Sequence, residues 1–270
     1  MHDSWLAAKQ HQNLVSPDVE TQLGQALAAV VLLAATIKFK GAMIMQLQGN
    51  GDIKALVAQA THDRKIRGLV RSEATVKGTQ LQSMLGAAGR LVLTVESEHS
   101  EPYQGIVGIE QPNLAGVLKT YFAQSEQLET RLWLFADQTH AAGLFIQELP
   151  GAPQTDQHDW ERIEALANTV SVEEMFSLDC EELLHRLFHE EKVRLYEPEF
   201  VEFKCNCSQE KIANTLFTLG RAELESILSE RERVEVDCQF CGAQYHFDKV
   251  DVENLLSNPL PNSNQSSIRH

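Results

Sequence analysis

Cys205-Asn206-Cys207 and Cys238-Gln239-Phe240-Cys241 are two short cysteine pairs separated by 30 residues (208 to 237), and they decide how the end of this chain folds. Each pair can present two sulfurs to one metal ion. The segment between them is long enough to bring the pairs together. Four thiolates suit a tetrahedral zinc ion, and four protein ligands leave no open position for a substrate water. A metal held this way is structural or regulatory. The competing reading is four unrelated buried cysteines, since Cys behaves as a small hydrophobe. Against it, four of the chain's five cysteines fall within 37 consecutive positions (205 to 241). Such pairs in a chain without a secretion signal read as metal ligands rather than as a disulfide framework.

Outward from the pairs, residues 209–230 read as one helix, with Ile212, Leu216, Leu219, Leu224, Ile227 and Leu228 as its apolar positions. Residues 234–238 and 245–247 read as short strands flanking the second pair. A module this small has little core of its own, so zinc would supply much of its folding free energy. The tail, 257–270, is rich in Asn, Ser and Pro and is expected to be disordered.

Upstream, residues 154–202 are helical in pattern and carry 14 Asp+Glu against 4 Lys+Arg. Trp160, Ile163 and Leu166 form one apolar stripe. Ser171-Val172-Glu173-Glu174 is a capping box, and Asp179 with Glu182 reads as a second. These amphipathic helices cannot bury themselves alone, and their charge repels itself. That is the profile of a docked but marginal linker. His185 and His189 lie four apart on one helix face. No H-E-x-x-H accompanies them, so a solvated or half-buried pair outweighs a metal pair. Cys180 reads as a packed helix residue before it reads as a reactive thiol.

Pro150-Gly151-Ala152-Pro153 marks a domain boundary. Before it, Ser16-Pro17-Asp18 starts a helix as N-cap, first-turn proline and first-turn acid. Its most apolar run, residues 26–37, is shorter than the about 20 residues a membrane span needs, so it is expected to be buried. Strand patterns follow at 42–48, 53–59, 68–73, 91–96, 105–110, 132–136 and 143–149, with a turn at Gly49-Asn50-Gly51 and a helix capped by Asn113. The Met43 and Met45 pair reads as core packing ahead of an exposed binding face. The expected fold class is α+β: a mixed strand and helix core (1–150), an acidic helical linker (151–204), a zinc-binding module (205–256) and the tail.

Composition narrows the function. The chain has 270 residues, 43% of them hydrophobic, and a net charge of −15. That charge disfavours non-specific nucleic-acid binding. Between the pairs, residues 208–237 hold 4 basic and 7 acidic side chains, which weighs against a zinc-ribbon nucleic-acid module. No open coordination position or partnered base suggests a zinc hydrolase. No Walker or Rossmann glycine loop is visible. Clustered thiols without a signal peptide suggest a reducing cytoplasm.

Tyr196-Glu-Pro-Glu-Phe-Val-Glu-Phe-Lys-Cys-Asn-Cys207 followed by Cys238-x-x-Cys241 resembles the bacterial heat shock protein 33 family. So, in the same order, do Ile37-Lys-Phe-Lys-Gly41, Gln46-Leu-Gln-Gly49, Tyr103-Gln-Gly-Ile-Val-Gly108 and Tyr121-Phe-Ala-Gln-Ser-Glu-Gln-Leu128. The resemblance covers nearly the whole chain. It implies a redox-regulated, ATP-independent holdase chaperone of the oxidative stress response, not an enzyme. Zinc would sit on Cys205, Cys207, Cys238 and Cys241 in the reduced, inactive state. On oxidation the disulfides Cys205–Cys207 and Cys238–Cys241 would form, zinc would be released, the linker would expose apolar surface, and the protein would bind unfolding clients as a homodimer. Nucleic acid and membrane are not expected partners. Family members usually carry an N-terminal strand region ahead of the segment that begins here near Met1. Its expected absence would leave a sheet edge unpaired or alter the dimer contact.

Overall fold

A computed structural model describes residues 1–98, 100–149 and 157–257. The expected boundary at 150–153 and the tail beyond 257 lie outside the described residues. The chain divides into two compact units, Met1–Lys204 and Cys205–His270.

The first unit opens with α1 (Asp3–Lys9) and α2 (Pro17–Thr36). The Ser16 hydroxyl accepts from the Val19 amide at 3.3 Å, and Pro17 takes the first turn. By length and composition α2 could cross a membrane. In the structure it is the buried spine of the unit, with Leu23, Leu27, Val30 and Leu33 inside. Strands β1 (Gly41–Gln48), β2 (Ile53–Thr61) and β3 (Lys65–Ser72) follow, then α3 (Leu81–Leu85), β4 (Arg90–Ser97) and β5 (Ser100–Gly108). They form a sheet in the order β5-β4-β1-β2-β3, antiparallel throughout. The period of two decides which side faces inward. Met43, Met45 and Leu47 of β1 stand opposite Ala60, Ala58 and Leu56 of β2, and all six are buried. The two methionines are therefore core residues.

Next come α4 (Leu114–Tyr121), capped by the Asn113 side chain on the Gly116 amide at 2.8 Å, and a π-helical turn at Phe122–Glu126. Strands β6 (Thr130–Ala136) and β7 (Ala141–Gln147) make a separate antiparallel hairpin. It lies on α2 so closely that a Cβ on Gly24 would come 2.6 Å from the Cβ of Ala136.

In the acidic segment, helices occupy α5 (Gln157–Ala167), α6 (Val172–Ser177) and α7 (Cys180–Phe188). The Ser171 capping box is complete, and Asp179 accepts from the Glu182 amide at 2.9 Å, the forward half of a second box. The helices bury Ala167, Leu183, Leu187 and Phe188 against Trp133, Leu144 and Ile146 of the β6–β7 hairpin. Arg131 of β6 binds Glu164 at 2.5 Å and lies over the Trp160 ring at 5.5 Å, and Trp133 Nε1 donates to Asn168 at 3.0 Å. So the apolar faces do find the core.

The helical pattern read over 154–202 stops at Phe188, apart from its cap at His189. Residues 192–201 form an irregular strap, neither helix nor strand, and within it Pro198 disfavours helix at the residue before it. Glu199 pairs with Arg64 at 2.5 Å, Ser4 Oγ donates to the Val201 carbonyl, and β8 (Glu202–Phe203) joins β3 in parallel, making a sixth strand.

In the second unit, the single helix expected over 209–230 is two: α8 (Gln209–Phe217) and α9 (Arg221–Glu230). Gly220, at φ 82°, makes the break, a backbone conformation that costs glycine little. Strands β9 (Val234–Asp237) and β10 (Gln244–Phe247) form a hairpin, and α10 (Lys249–Ser257) closes the unit. Its described core is seven buried residues: Ala213, Leu216, Leu224, Val234, Phe247, Val252 and Leu255.

Candidate metal centre

The four cysteines of the second unit meet where the segment before α8 faces the turn of the β9–β10 hairpin. Cys205 and Cys207 lie on the extended segment just before Ser208, whose hydroxyl caps α8 by accepting from the Lys211 amide at 3.2 Å. Lys211 also donates from its ammonium to the Asn206 carbonyl at 2.9 Å, which holds the residue between the first pair. Cys238 and Cys241 occupy the turn of the β9–β10 hairpin. There the Gly242 amide donates to the Cys238 carbonyl at 2.7 Å and the Cys238 amide to the Ala243 carbonyl at 2.8 Å. Gly242, at φ 69°, lets the chain turn back after the second sulfur.

All four Sγ atoms lie within 4.8 Å of one another. Cys205 and Cys238 are 3.7 Å apart at sulfur, and Cys207 and Cys241 are 3.4 Å apart. A zinc ion with bonds of about 2.3 Å needs sulfurs about 3.8 Å apart at the corners of its tetrahedron. The residues present therefore fit a tetrahedral metal ion. Among the described residues this quartet is the one group of three or more His, Cys, Asp or Glu side chains whose ligand atoms converge this closely.

The thiols also differ from one another. Burial pushes Cys205 up, against a backbone hydrogen bond from Cys207. Burial, helped by the neighbouring thiols, pushes Cys241 up to about 12. At Cys207 burial again opposes ionisation, but hydrogen bonds from Tyr245 and the other thiols outweigh it and bring it down to about 7. Tyr245 is itself pushed up to about 12, chiefly by serving Cys207. In the sequence Tyr245 stands out only as a strand residue. Its place four positions after Cys241, on a strand leaving the turn, was the available signal.

The remaining candidates lie elsewhere. Cys180 is exposed as the first residue of α7, and His185 and His189 stand in the last turn of that helix and at its cap. None joins the cysteine quartet.

The chain is similar to known proteins over most of its length. A family profile described as Hsp33 protein matches residues 1–248. The 33 kDa chaperonin of Nitrosococcus oceani is 54% identical over 252 residues, covering 93% of this chain and 86% of the relative. The 33 kDa chaperonin of Shewanella sp. (strain ANA-3) is 42% identical over 250 residues, covering 92% and 87%. The crystal structure of a 33 kDa chaperonin, a heat shock protein 33 homolog from Thermotoga maritima, superposes with a TM-score of 0.80 at 27% identity, covering 95% of this chain and 91% of that one.

Proposed function

The chain belongs to the Hsp33 family of chaperones, and from that premise we propose that it is a redox-regulated holdase that binds unfolding clients without ATP. In the reduced, resting state Cys205, Cys207, Cys238 and Cys241 hold one zinc ion. Bound there, zinc supplies folding free energy to the module and shields the thiolates. The same sulfurs are the form that peroxide attacks. Each disulfide that closes gives two electrons to one peroxide, which leaves as two waters. The family resemblance assigns the bonds as Cys205–Cys207 and Cys238–Cys241.

Sulfurs tied in disulfides no longer serve as four metal ligands. A module with seven buried core residues then has too little burial to stay folded. The strap that ends at Lys204 loses its folded anchor at the next residue. The linker helices, held by one small apolar cluster and a few ion pairs, open at low cost. Leu183, Leu187, Phe188 and the hairpin face beneath them become surface for clients, and the oxidised chain pairs as a homodimer.

On this reading the chain comprises a chaperone core (1–150), a linker (151–204), a redox-switch module (205–256) and a tail (257–270). It works in the cytoplasm, is not an enzyme, and has no nucleic-acid or membrane partner. The acidic balance supports the last point, with 4 basic and 7 acidic residues in 208–237.

The observation that carries the proposal is the convergence of four sulfurs within 4.8 Å. The test is zinc content and free-thiol count before and after peroxide, with a client aggregation assay on the same samples. Zinc loss, loss of four thiols and a gain of aggregation suppression are expected together. A chain without zinc when reduced, or with full chaperone activity in both states, overturns the proposal.

A further inference from the structure

Outside the cysteine module, one helix surface gathers side chains that the switch does not use. His185 and His189 are both exposed on α7, with ring centroids 6.1 Å apart and planes 37° apart. Residues four apart share a helix face, so their imidazoles project side by side. They line a cavity of about 270 Å³ together with Glu181, one turn before His185, and Glu191. We propose that this surface is a second metal site, in which a divalent ion of the zinc, nickel or copper class is held by His185 and His189, with the Glu181 carboxylate and water completing the shell.

Imidazole nitrogen with carboxylate oxygen is a donor set suited to these ions. Leu183, Leu187 and Phe188 on the same helix are buried, and the helical spacing puts the two imidazoles one turn apart. His189 is the C-cap of α7, where the helix dipole favours added positive charge. The carboxylate and imidazole atoms do not yet converge as the cysteine sulfurs do. Exposed side chains change rotamer within nanoseconds, so they can close on an ion, at the cost of some affinity. The site is therefore weaker than the cysteine centre and does not depend on it.

An ion bridging positions 185 and 189 requires those residues to be helical. It therefore favours the helical form of α7 over its unfolded form. At a free ion concentration ten times the Kd, the population in which α7 is unfolded, and with it proteolysis there, falls about tenfold.

The test uses the untagged full chain, reduced and carrying one equivalent of zinc, titrated calorimetrically with further zinc. A second equivalent is expected below about 100 μM free zinc at pH 7.5. H185Q and H189Q each abolish it, E181Q weakens it several-fold, and all three keep the first equivalent. Circular dichroism of each variant before titration checks that α7 is intact. In the wild-type chain, the imidazole resonances of His185 and His189 shift as the second equivalent binds. No second equivalent, a second equivalent that both histidine variants retain, or shifts confined to other histidines overturns the site. Loss of the first equivalent would instead count against the cysteine centre.

Discussion

Serine at position 238 would exchange a thiolate for a hydroxyl that stays protonated at neutral pH. Cys238 is the most enclosed of the four cysteines at 7% exposure, so solvent can do little to replace the lost ligand. The expected outcome for C238S is a reduced chain whose zinc content falls from one per chain toward zero under mild chelation. Retention at wild-type affinity would contradict the four-ligand site. Proton competition gives a second prediction. Cys205 and Cys241 are pushed up, so both are protonated at neutral pH and must each release a proton to bind a metal. Cys207, at about 7, is already half ionised there and adds a further proton only as the pH falls below that value. The sign follows: metal affinity is present at high pH and is lost as pH falls. Between pH 7 and 8 it should change at least about a hundredfold per unit, because Cys205 and Cys241 alone release two protons. Competition with a chelator at several pH values measures the slope, and a flat profile would refute it.

Helices α5 to α7 owe their place to a cluster far smaller than the core around α2. Leu187 is buried at its centre, so L187A should cost about 2–5 kcal/mol locally. That is enough to open a weakly held unit without unfolding the rest. In the reduced chain, protease should then cut within residues 157–188 while the β1 to β5 sheet stays resistant, as mass mapping of fragments would report. A digest identical to wild type would mean the linker is not marginal. Elements like these were legible in the sequence where a cap met a periodic stripe: Ser16-Pro17 before α2, Ser171 with Glu174 before α6, and the Met43, Met45, Leu47 alternation of β1. The cysteine quartet was legible because ligand spacing is a local property. Others were not. α1 has seven residues and no side-chain cap, too short for a period to show, although it seats the fully buried Trp5. The strap is helical in its charge and composition, which carry across Phe188, while the backbone there is not. The break at Gly220 was hidden by apolar residues that suit one helix or two.

At the scale of the whole chain, the question is whether oxidation switches the protein or merely damages it. C-x-C and C-x-x-C disulfides enclose very short loops, which constrain the unfolded chain little. Such bonds are therefore reduced more readily than long-loop structural disulfides, which a reversible sensor requires. The part of the chain that responds is confined. The core around α2 holds no cysteine, and Cys180 stands exposed on α7. Oxidation should thus unfold the second unit and loosen residues 157–204, β8 included, while leaving β1 to β5 paired. Peroxide with mild warming is expected to form Cys205–Cys207 and Cys238–Cys241, release zinc and switch on suppression of client aggregation. Reductant with zinc should reverse all three. A static structural centre predicts otherwise: zinc loss without any gain of activity, or a loss that reductant cannot repair. Disulfide mapping by mass spectrometry beside a light-scattering assay separates the two. Hydrogen exchange on the same samples adds the spatial test, since protection should fall in 157–257 and persist in β1 to β4. Protection lost evenly along the chain would mean that the oxidised protein is simply denatured.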